Sequence, residues 1–135
     1  MAERAKILCR ISILYIKEKN VCKTIEKRGI RLIYEMNRLI NEYDISFLSV
    51  KGYGARSMLN IQNEDAMTIK TFIHQEFLKN GILWNGVISL SYAHNTFIIN
   101  KILKSFENIL KNIKKIGLNK INKNINGKII KKLVL

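Results

Sequence analysis

Helix-type and strand-type patterns alternate over residues 64–110 with clear breaks between them, and this order constrains the fold more than any other feature of the chain. A helix is predicted to begin at Asn63-Glu64-Asp65, because acidic residues favour a first helical turn. Asn80-Gly81 predicts its end, because glycine readily adopts the left-handed conformation that terminates helices. The inward side of this helix is predicted to comprise Ile69, Phe72, Ile73, Phe77 and Leu78.

Two short strands and a second helix are predicted after this first one. Residues 82–84 and 87–92 are mostly apolar, and Asn85-Gly86 between them is the strongest hairpin signal in the chain. Asn95 is a suitable N-cap for a long helix that Gly117 stops. The inward stripe of that helix has clean helical periodicity and comprises Ile99, Ile102, Leu103, Phe106, Ile109, Leu110 and Ile113.

The N-terminal segment, residues 3–18, is apolar on nearly every side. Alternation over residues 7–15 is also compatible with a strand, but the length of the segment and the charges at Lys17–Lys19 favour a helix. A helix that is apolar on most sides must be buried on most sides. Because a chain of 135 residues offers little to cover it, a partner surface is expected.

A long amphipathic helix is predicted over residues 21–43, with Asn20 as its N-cap. Gly29 lies within the apolar stripe, where glycine costs a helix about 1 kcal/mol relative to alanine. This position therefore predicts the close approach of another backbone segment. The apolar stripe comprises Val21, Ile25, Leu32, Met36, Leu39 and Tyr43, and the solvated stripe opposite it comprises Lys23, Glu26, Lys27, Glu35, Arg38 and Glu42.

A pair of strands follows this helix. Residues 47–50 and 57–61 predict strands on either side of the turn Gly52-Tyr53-Gly54. The turn could also be interpreted as a phosphate loop, but the third glycine and the following helix of that motif are missing, so a plain turn is favoured. Together the patterns predict an α+β fold in which helices pack on one side of a small, largely antiparallel sheet.

Positive charge is concentrated in the C-terminal quarter. The net charge is +14, and residues 101–135 hold ten lysines and a single acidic residue, Glu107, whereas the first hundred residues carry only about +5. One interpretation is a compositional bias acting on tolerant surface positions. The other is a face that binds nucleic acid or another polyanion. Aromatic residues do not interleave with the lysines of 111–132, and the chain has no known nucleic-acid recognition motif, so nucleic acid is disfavoured.

The two cysteines, Cys9 and Cys22, have neither the spacing nor the histidine neighbours of a zinc site. A reduced chain in the cytoplasm is the simplest explanation. The N-terminus lacks the cleavage site of a signal peptide, and the chain has no apolar run long enough to span a membrane.

Few polar side chains form a pattern that specifies chemistry. His94 lies at a strand-to-helix junction and is expected to hydrogen-bond there, whereas His74 is expected to be exposed in mid-helix. Trp84 is expected to pack rather than to stack on a ligand.

The order of these segments resembles the C-terminal small domain of class III pyridoxal-phosphate aminotransferases, in particular the glutamate-1-semialdehyde aminomutase-like branch. The most specific part is KNGIL at 79–83 followed by LSYAH at 90–94. The run from Gly52 through Tyr53, Arg56 and Ser57 is similar to the Gly-aromatic-x-x-Arg-Ser run of the family. The resemblance extends over residues 11–130, although no single motif in it is diagnostic.

This resemblance implies a fold-type I enzyme about three times the length of this chain. In that family the lysine that binds pyridoxal phosphate and the carboxylate that faces its pyridine nitrogen belong to the large domain, upstream of the segment found here. None of the eighteen lysines lies in a matching motif. No catalytic or cofactor-binding residue is therefore assigned, and the chain alone is expected to be inactive. In related aminotransferases the small domain closes over the active site, so the resemblance implies Arg56 as the one candidate for substrate binding, since a guanidinium suits bidentate binding of a carboxylate. A structural role at the turn is the alternative.

Three segments are expected on this basis. Residues 1–20 would join a missing large domain, residues 21–116 would form the aminotransferase-like C-terminal domain, and residues 117–135 would form a basic tail with a short helical turn. The partner would be a large-domain polypeptide, and the parent enzyme would be a homodimer. An inactive remnant and a small protein that binds nucleic acid or another polyanion are the alternatives.

Overall fold

The computed structural model describes residues 2–130 and consists of a small sheet with helices on one face. The helices are α1 (Ala2–Glu18), α2 (Val21–Glu42), α3 (Ala66–Lys79) and α4 (Thr96–Ile116), the strands are β1 (Leu48–Tyr53), β2 (Arg56–Ile61) and β3 (Val87–Ser89), and a 3-10 helix spans Leu118–Asn124. The predicted α+β class is confirmed.

The three strands form an antiparallel sheet in the order β1-β2-β3. Leu48 pairs with Ile61 and Tyr53 with Arg56 between the first two strands, and Met58 pairs with Val87 between the second and third. Side chains alternate between the two faces of a strand, so one face of the sheet enters the core and the other is solvated. The inward residues are Leu48, Val50, Ser57 and Leu59, which are all buried.

The hairpin predicted at Asn85-Gly86 is wrong. Residues 82–84 have no strand assignment, and β3 pairs with β2 instead. A two-residue type I′ turn needs positive φ at both central residues, but only Gly86 has one, at +105°. The Asn85 side chain accepts a hydrogen bond from the Val87 N–H at 3.2 Å, and the indole of Trp84 is buried against Phe77 with ring centroids 5.7 Å apart. Burial of Trp84 therefore overrides the local turn preference.

The core lies between the sheet and helices α2, α3 and α4. Phe77 links the aromatic residues of this core, because it packs on Trp84 and also stacks on Phe106 with centroids 6.3 Å apart. Leu78, predicted to point inward, is instead 48% exposed. The largest fully buried side chains are Leu32, Met36, Ile69, Phe72, Ile73, Ile99, Phe106, Ile109, Leu110 and Ile121.

Two of the predicted helix ends are confirmed. Asn95 caps α4, and its side chain accepts a hydrogen bond from the Ile98 N–H at 3.0 Å. Gly81 follows α3 with φ +69°, and the N–H groups of Gly81 and Ile82 bond the carbonyls of Leu78 and Phe77, which is the Schellman arrangement.

Asn20 is not the N-cap that the sequence predicts. It has φ 48° and ψ 42°, and its side chain makes no capping hydrogen bond. Helix α1 extends to Glu18, so Asn20 has to turn the chain in the short connection to α2. Asparagine tolerates this left-handed conformation better than most residues do.

Helix α1 is exposed along its length, contrary to the burial that its composition requires. Ile7, Leu8 and Ile11 are 54%, 65% and 57% exposed. A T-shaped contact between Tyr15 and Tyr92, with centroids 6.4 Å apart, fastens its C-terminal half to the body. The residues that would cover the helix are therefore not among residues 2–130.

The basic segment after α4 lies against α3. It forms the predicted short helical turn as the 3-10 helix, and Ile121 is buried. Beyond it the Gln75 side chain bonds the backbone of Asn124 and Asn126, and the Ile130 N–H donates to the Thr71 hydroxyl at 3.0 Å. The last five residues of the predicted tail lie outside the described residues.

Candidate functional site

Arg56 lies at the start of β2 on the solvated face of the sheet. A shallow hollow of about 220 Å³ adjoins it, lined by Lys51, Gly52, Arg56, Ser57, Met58 and Val87. Lys51 pairs with Met58 and Arg56 with Ser89 in the register, so the two cations occupy the same face two rows apart. Among the described residues no hydrogen bond or ion pair engages the Arg56 guanidinium. Two positive charges suited to a carboxylate or phosphate group thus lie beside a hollow whose own lining is almost wholly apolar.

A larger cleft of about 600 Å³ is lined by residues of α2 and of the β1–β2 turn, beside the place where the two elements touch. At its floor the Asn37 side chain donates to the Val50 carbonyl and accepts from the Val50 N–H, both at 2.9 Å, which satisfies the outer edge of β1. Arg38 at the rim is bound by two carboxylates of α2, so it is not free to bind an anion. The cleft is lined by Glu26, Ile30, Ile33, Tyr34, Asn37, Arg38, Asn41, Gly52, Tyr53 and Gly54.

The backbones of α2 and the β1–β2 turn meet at Gly29 and Gly54. A Cβ on Gly29 would lie 1.5 Å from the Gly54 carbonyl oxygen, so only glycine permits this contact. The close approach predicted at Gly29 is confirmed. Glu26 adds a weak bond, since its carboxylate accepts the Gly54 N–H at 3.3 Å.

His94 performs the junction role that the sequence predicts. Its Nδ1 accepts the Ser91 backbone N–H at 3.0 Å and lies 2.9 Å from the Ser91 hydroxyl. Because the backbone N–H occupies Nδ1 as an acceptor, the pair serves to shape the turn before α4. His74 is half-buried rather than exposed, and Trp84 packs in the core as expected.

Glu76 is a buried carboxylate that sequence reasoning missed. Lys79 and Gln75 donate to its Oε1, and the Asn112 amide donates to its Oε2 at 3.2 Å, which joins α3 to α4. Glu76 follows His74 and Gln75, and such a polar run indicates a solvated position, so only the contact with Asn112 of α4 reveals its role. A polar hollow of about 270 Å³ lies beside it.

A second carboxylate network joins α2 to α4 at Glu107. Lys111 binds its Oε1 at 2.6 Å, and the Tyr43 hydroxyl donates to the same oxygen at 2.9 Å. The hydrogen bond from Lys111, followed by that from Tyr43, lowers the pKa of Glu107 below its usual value. Each network joins two helices, which is a structural role. Residues 2–130 contain no group of three side chains that could hold a metal ion.

Comparisons with known proteins identify the fold. No model of a known protein family matches the chain, and no curated protein matches its sequence. A crystal structure of an omega-transaminase from Sphaerobacter thermophilus matches 64% of this chain with a TM-score of 0.60 and 14% identity. The FumI protein of Sphingopyxis sp. MTA144, in its PLP internal aldimine form, matches 78% with a TM-score of 0.64 and 18% identity.

The chain shares its fold with a part of each of these two proteins. It spans 23% and 26% of those two chains, about a quarter of their length. At this level of identity the match concerns the fold alone. Within residues 2–130 none of the helices has the length and apolar character that crossing a bilayer requires.

Proposed function

We propose that this chain serves as the small domain of a class III pyridoxal-phosphate aminotransferase, of the glutamate-1-semialdehyde aminomutase-like branch, and takes part in amino-group transfer. It would act together with a large-domain polypeptide that carries the cofactor, in the cytoplasm, and the assembled enzyme would be a dimer. The fold of the described residues and the resemblance of 79–94 to that branch support this assignment.

The exposed apolar surface of α1 is the observation that carries the proposal. Seven of its large apolar side chains are between 43% and 65% exposed. Such a helix is stable only when another surface covers it, because each such side chain gains about 1.5–3 kcal/mol on full burial. A large domain joined to or docked on α1 would supply that surface. The quarter-length match to the two enzymes is consistent with it.

The described residues do not fit pyridoxal phosphate by themselves. A Schiff-base lysine requires an enclosed site and a carboxylate to face the pyridine nitrogen. The hollow that contains Lys51 is shallow and has no carboxylate in its lining. We therefore assign no cofactor-binding residue and expect the isolated chain to be inactive.

Arg56 is proposed to contribute to substrate binding in the assembled enzyme. Its guanidinium is exposed and unpaired among the described residues, and Lys51 adds a second positive charge on the same face. These features suit a substrate carboxylate. In a reconstituted enzyme, Arg56→Gln should raise KM for the carboxylate substrate more than it lowers kcat.

The test begins with the transcript that encodes this chain. Its flanking sequence is translated in all frames, and any large-domain product is co-expressed with the chain. Co-purification with retained internal-aldimine absorbance and amino transfer would support the proposal. A large domain that is fully active without the chain, or no large-domain frame in the transcript or elsewhere in the genome, would contradict it.

A further inference from the structure

Six exposed residues of α4 form one continuous stripe on the face opposite the core. They recur at alternating steps of four and three residues and comprise Phe97, Lys101, Lys104, Asn108, Lys111 and Lys115. At 1.5 Å per residue the stripe is about 27 Å long. We propose that this basic stripe binds the phosphate backbone of a single-stranded nucleic acid, with Phe97 stacking on a base.

The charges around the stripe favour an anionic partner. Within residues 2–130, Lys101, Lys104 and Lys115 have no carboxylate partner, whereas Lys111 is bound to Glu107. Arg31 of α2 adds a further cation alongside, because its guanidinium donates to the Asn100 side chain at 3.0 Å. Helix α4 as a whole carries one acidic residue, Glu107, against five lysines. Cations repeated at each helical turn suit a polymer with regularly spaced phosphates.

Phe97 gives the stripe an aromatic end. The expectation against nucleic acid rested on the lysines of 111–132, whereas this stripe begins earlier in α4 and includes an aromatic residue. Its side chain is 76% exposed at the first turn of α4, although an apolar residue of this size would ordinarily be buried. Proteins that bind single strands combine a positively charged track with exposed aromatic rings, because every base has a face on which such a ring can stack. The stripe is separate from α1 and from the hollow at Arg56, so this binding does not depend on the aminotransferase assignment.

The experiment compares two variants of equal net charge. The stripe variant carries Lys101→Gln, Lys104→Gln and Lys115→Gln, and the control carries three glutamines at exposed lysines of α1 and α2, namely Lys17→Gln, Lys23→Gln and Lys27→Gln. Binding of a fluorescein-labelled 20-nucleotide single strand is measured by anisotropy between 50 and 200 mM salt. Circular dichroism verifies that both variants are folded.

The wild type should bind with a slope of log K against log salt of about −3, as four cation contacts to a single strand, from Lys101, Lys104, Lys115 and Arg31, predict. The stripe variant should bind at least tenfold more weakly at 50 mM salt with a slope shallower by about 2, and the control less than threefold more weakly. Phe97→Ala should weaken binding to the single strand about tenfold with an unchanged slope. Equal losses in the stripe variant and the control would overturn the proposal, because net charge alone would then explain binding. So would the absence of binding at 50 mM salt, or binding only to vesicles that contain phosphatidylserine.

Discussion

Gly29 allows α2 and the β1–β2 turn to touch backbone to backbone. Helix propensity alone would favour alanine here by about 1 kcal/mol. The Cβ of an alanine would overlap the Gly54 carbonyl oxygen at 1.5 Å, and that oxygen belongs to backbone rather than to a flexible side chain. The steric term therefore dominates, and the turn would have to move away from the helix.

Gly29→Ala should lower the free energy of unfolding by about 3 kcal/mol or more, because overpacking against backbone exceeds the usual cost of an added methyl group. Urea denaturation followed by circular dichroism measures it. Gly81→Ala is the matched control, since its Cβ would meet only the Lys101 Nζ at 3.9 Å and its φ of +69° in the left-handed helix cap is what opposes alanine, a cost of about 1–2 kcal/mol. Equal losses at the two positions would show that the contact with Gly54 is unimportant.

Glu107→Gln should destabilise the chain in a pH-dependent manner. The hydrogen bonds from Lys111 and Tyr43 hold the pKa of Glu107 below 4.5, its ordinary value. Its contribution to stability is thus fully present above pH 4.5 and is lost as the pH falls through the lower folded-state pKa. The difference in unfolding midpoint between wild type and variant should be constant from pH 6 to 7 and shrink below pH 4.5. A difference that does not change with pH would contradict a role for the charge.

At the scale of elements, the N-termini of α2 and α4, each preceded by an asparagine, show how far local patterns determine this fold. At Asn95 the residue preference and the following stripe agree, and the structure contains the predicted cap. At Asn20 the same residue preference fails, because the short connection between two helices requires a left-handed residue there. Periodicity located α2, α3 and α4, but it did not determine which strand would pair with β3.

The pairing of β3 with β2 depends on tertiary contacts between residues that are far apart in the sequence. Asn85-Gly86 has a strong hairpin preference, but burial of Trp84 against Phe77 keeps residues 82–84 out of the sheet. β3 consequently adds to β2. Local sequence also fails to predict the buried position of Glu76, because its partner Asn112 belongs to α4, which is distant in sequence. Arg56 was identified from the family resemblance together with its residue type, and its role in binding stays a prediction.

Asn95→Ala should destabilise the chain by about 1 kcal/mol, because the Ile98 N–H loses its acceptor at the start of α4. Thermal and urea unfolding report this value. Asn95→Asp retains an acceptor oxygen and should lose much less. Wild-type stability in the alanine variant would mean that solvent replaces the cap at no cost.

Helix α1 should contribute little to the stability of the isolated chain. Leu8 is 65% exposed, so Leu8→Gln should change the free energy of unfolding by less than about 0.5 kcal/mol. Leu32, which is fully buried, is the contrast, and Leu32→Ala should cost about 2–5 kcal/mol. When a large-domain partner is present, the order of the two effects should change, because Leu8→Gln would then weaken association with that partner. A large loss for Leu8→Gln in the chain alone would show that α1 packs on its own body.

At the scale of the whole molecule, the surfaces of the folded body determine which chemistry the isolated chain can support. Residues 21–124 form a continuous core of three helices and a sheet, which explains why the fold is recognisable at 14–18% identity. Solvated surfaces surround that core, and they include the hollow at Arg56 and the cleft beside α2. A cofactor aldehyde would meet lysines in water on the surface of this body, without an enclosing wall.

The isolated chain mixed with pyridoxal phosphate should therefore form only transient Schiff bases. After dialysis the aldimine absorbance should fall to the level of a matched solution of free lysine, and no amino transfer from an amino donor should be detected. Borohydride reduction before dialysis, followed by peptide mapping, should distribute the label over many exposed lysines. Concentration of the label on one lysine together with absorbance that survives dialysis would show that this chain builds a cofactor site by itself. The large domain would then no longer be needed to explain cofactor binding.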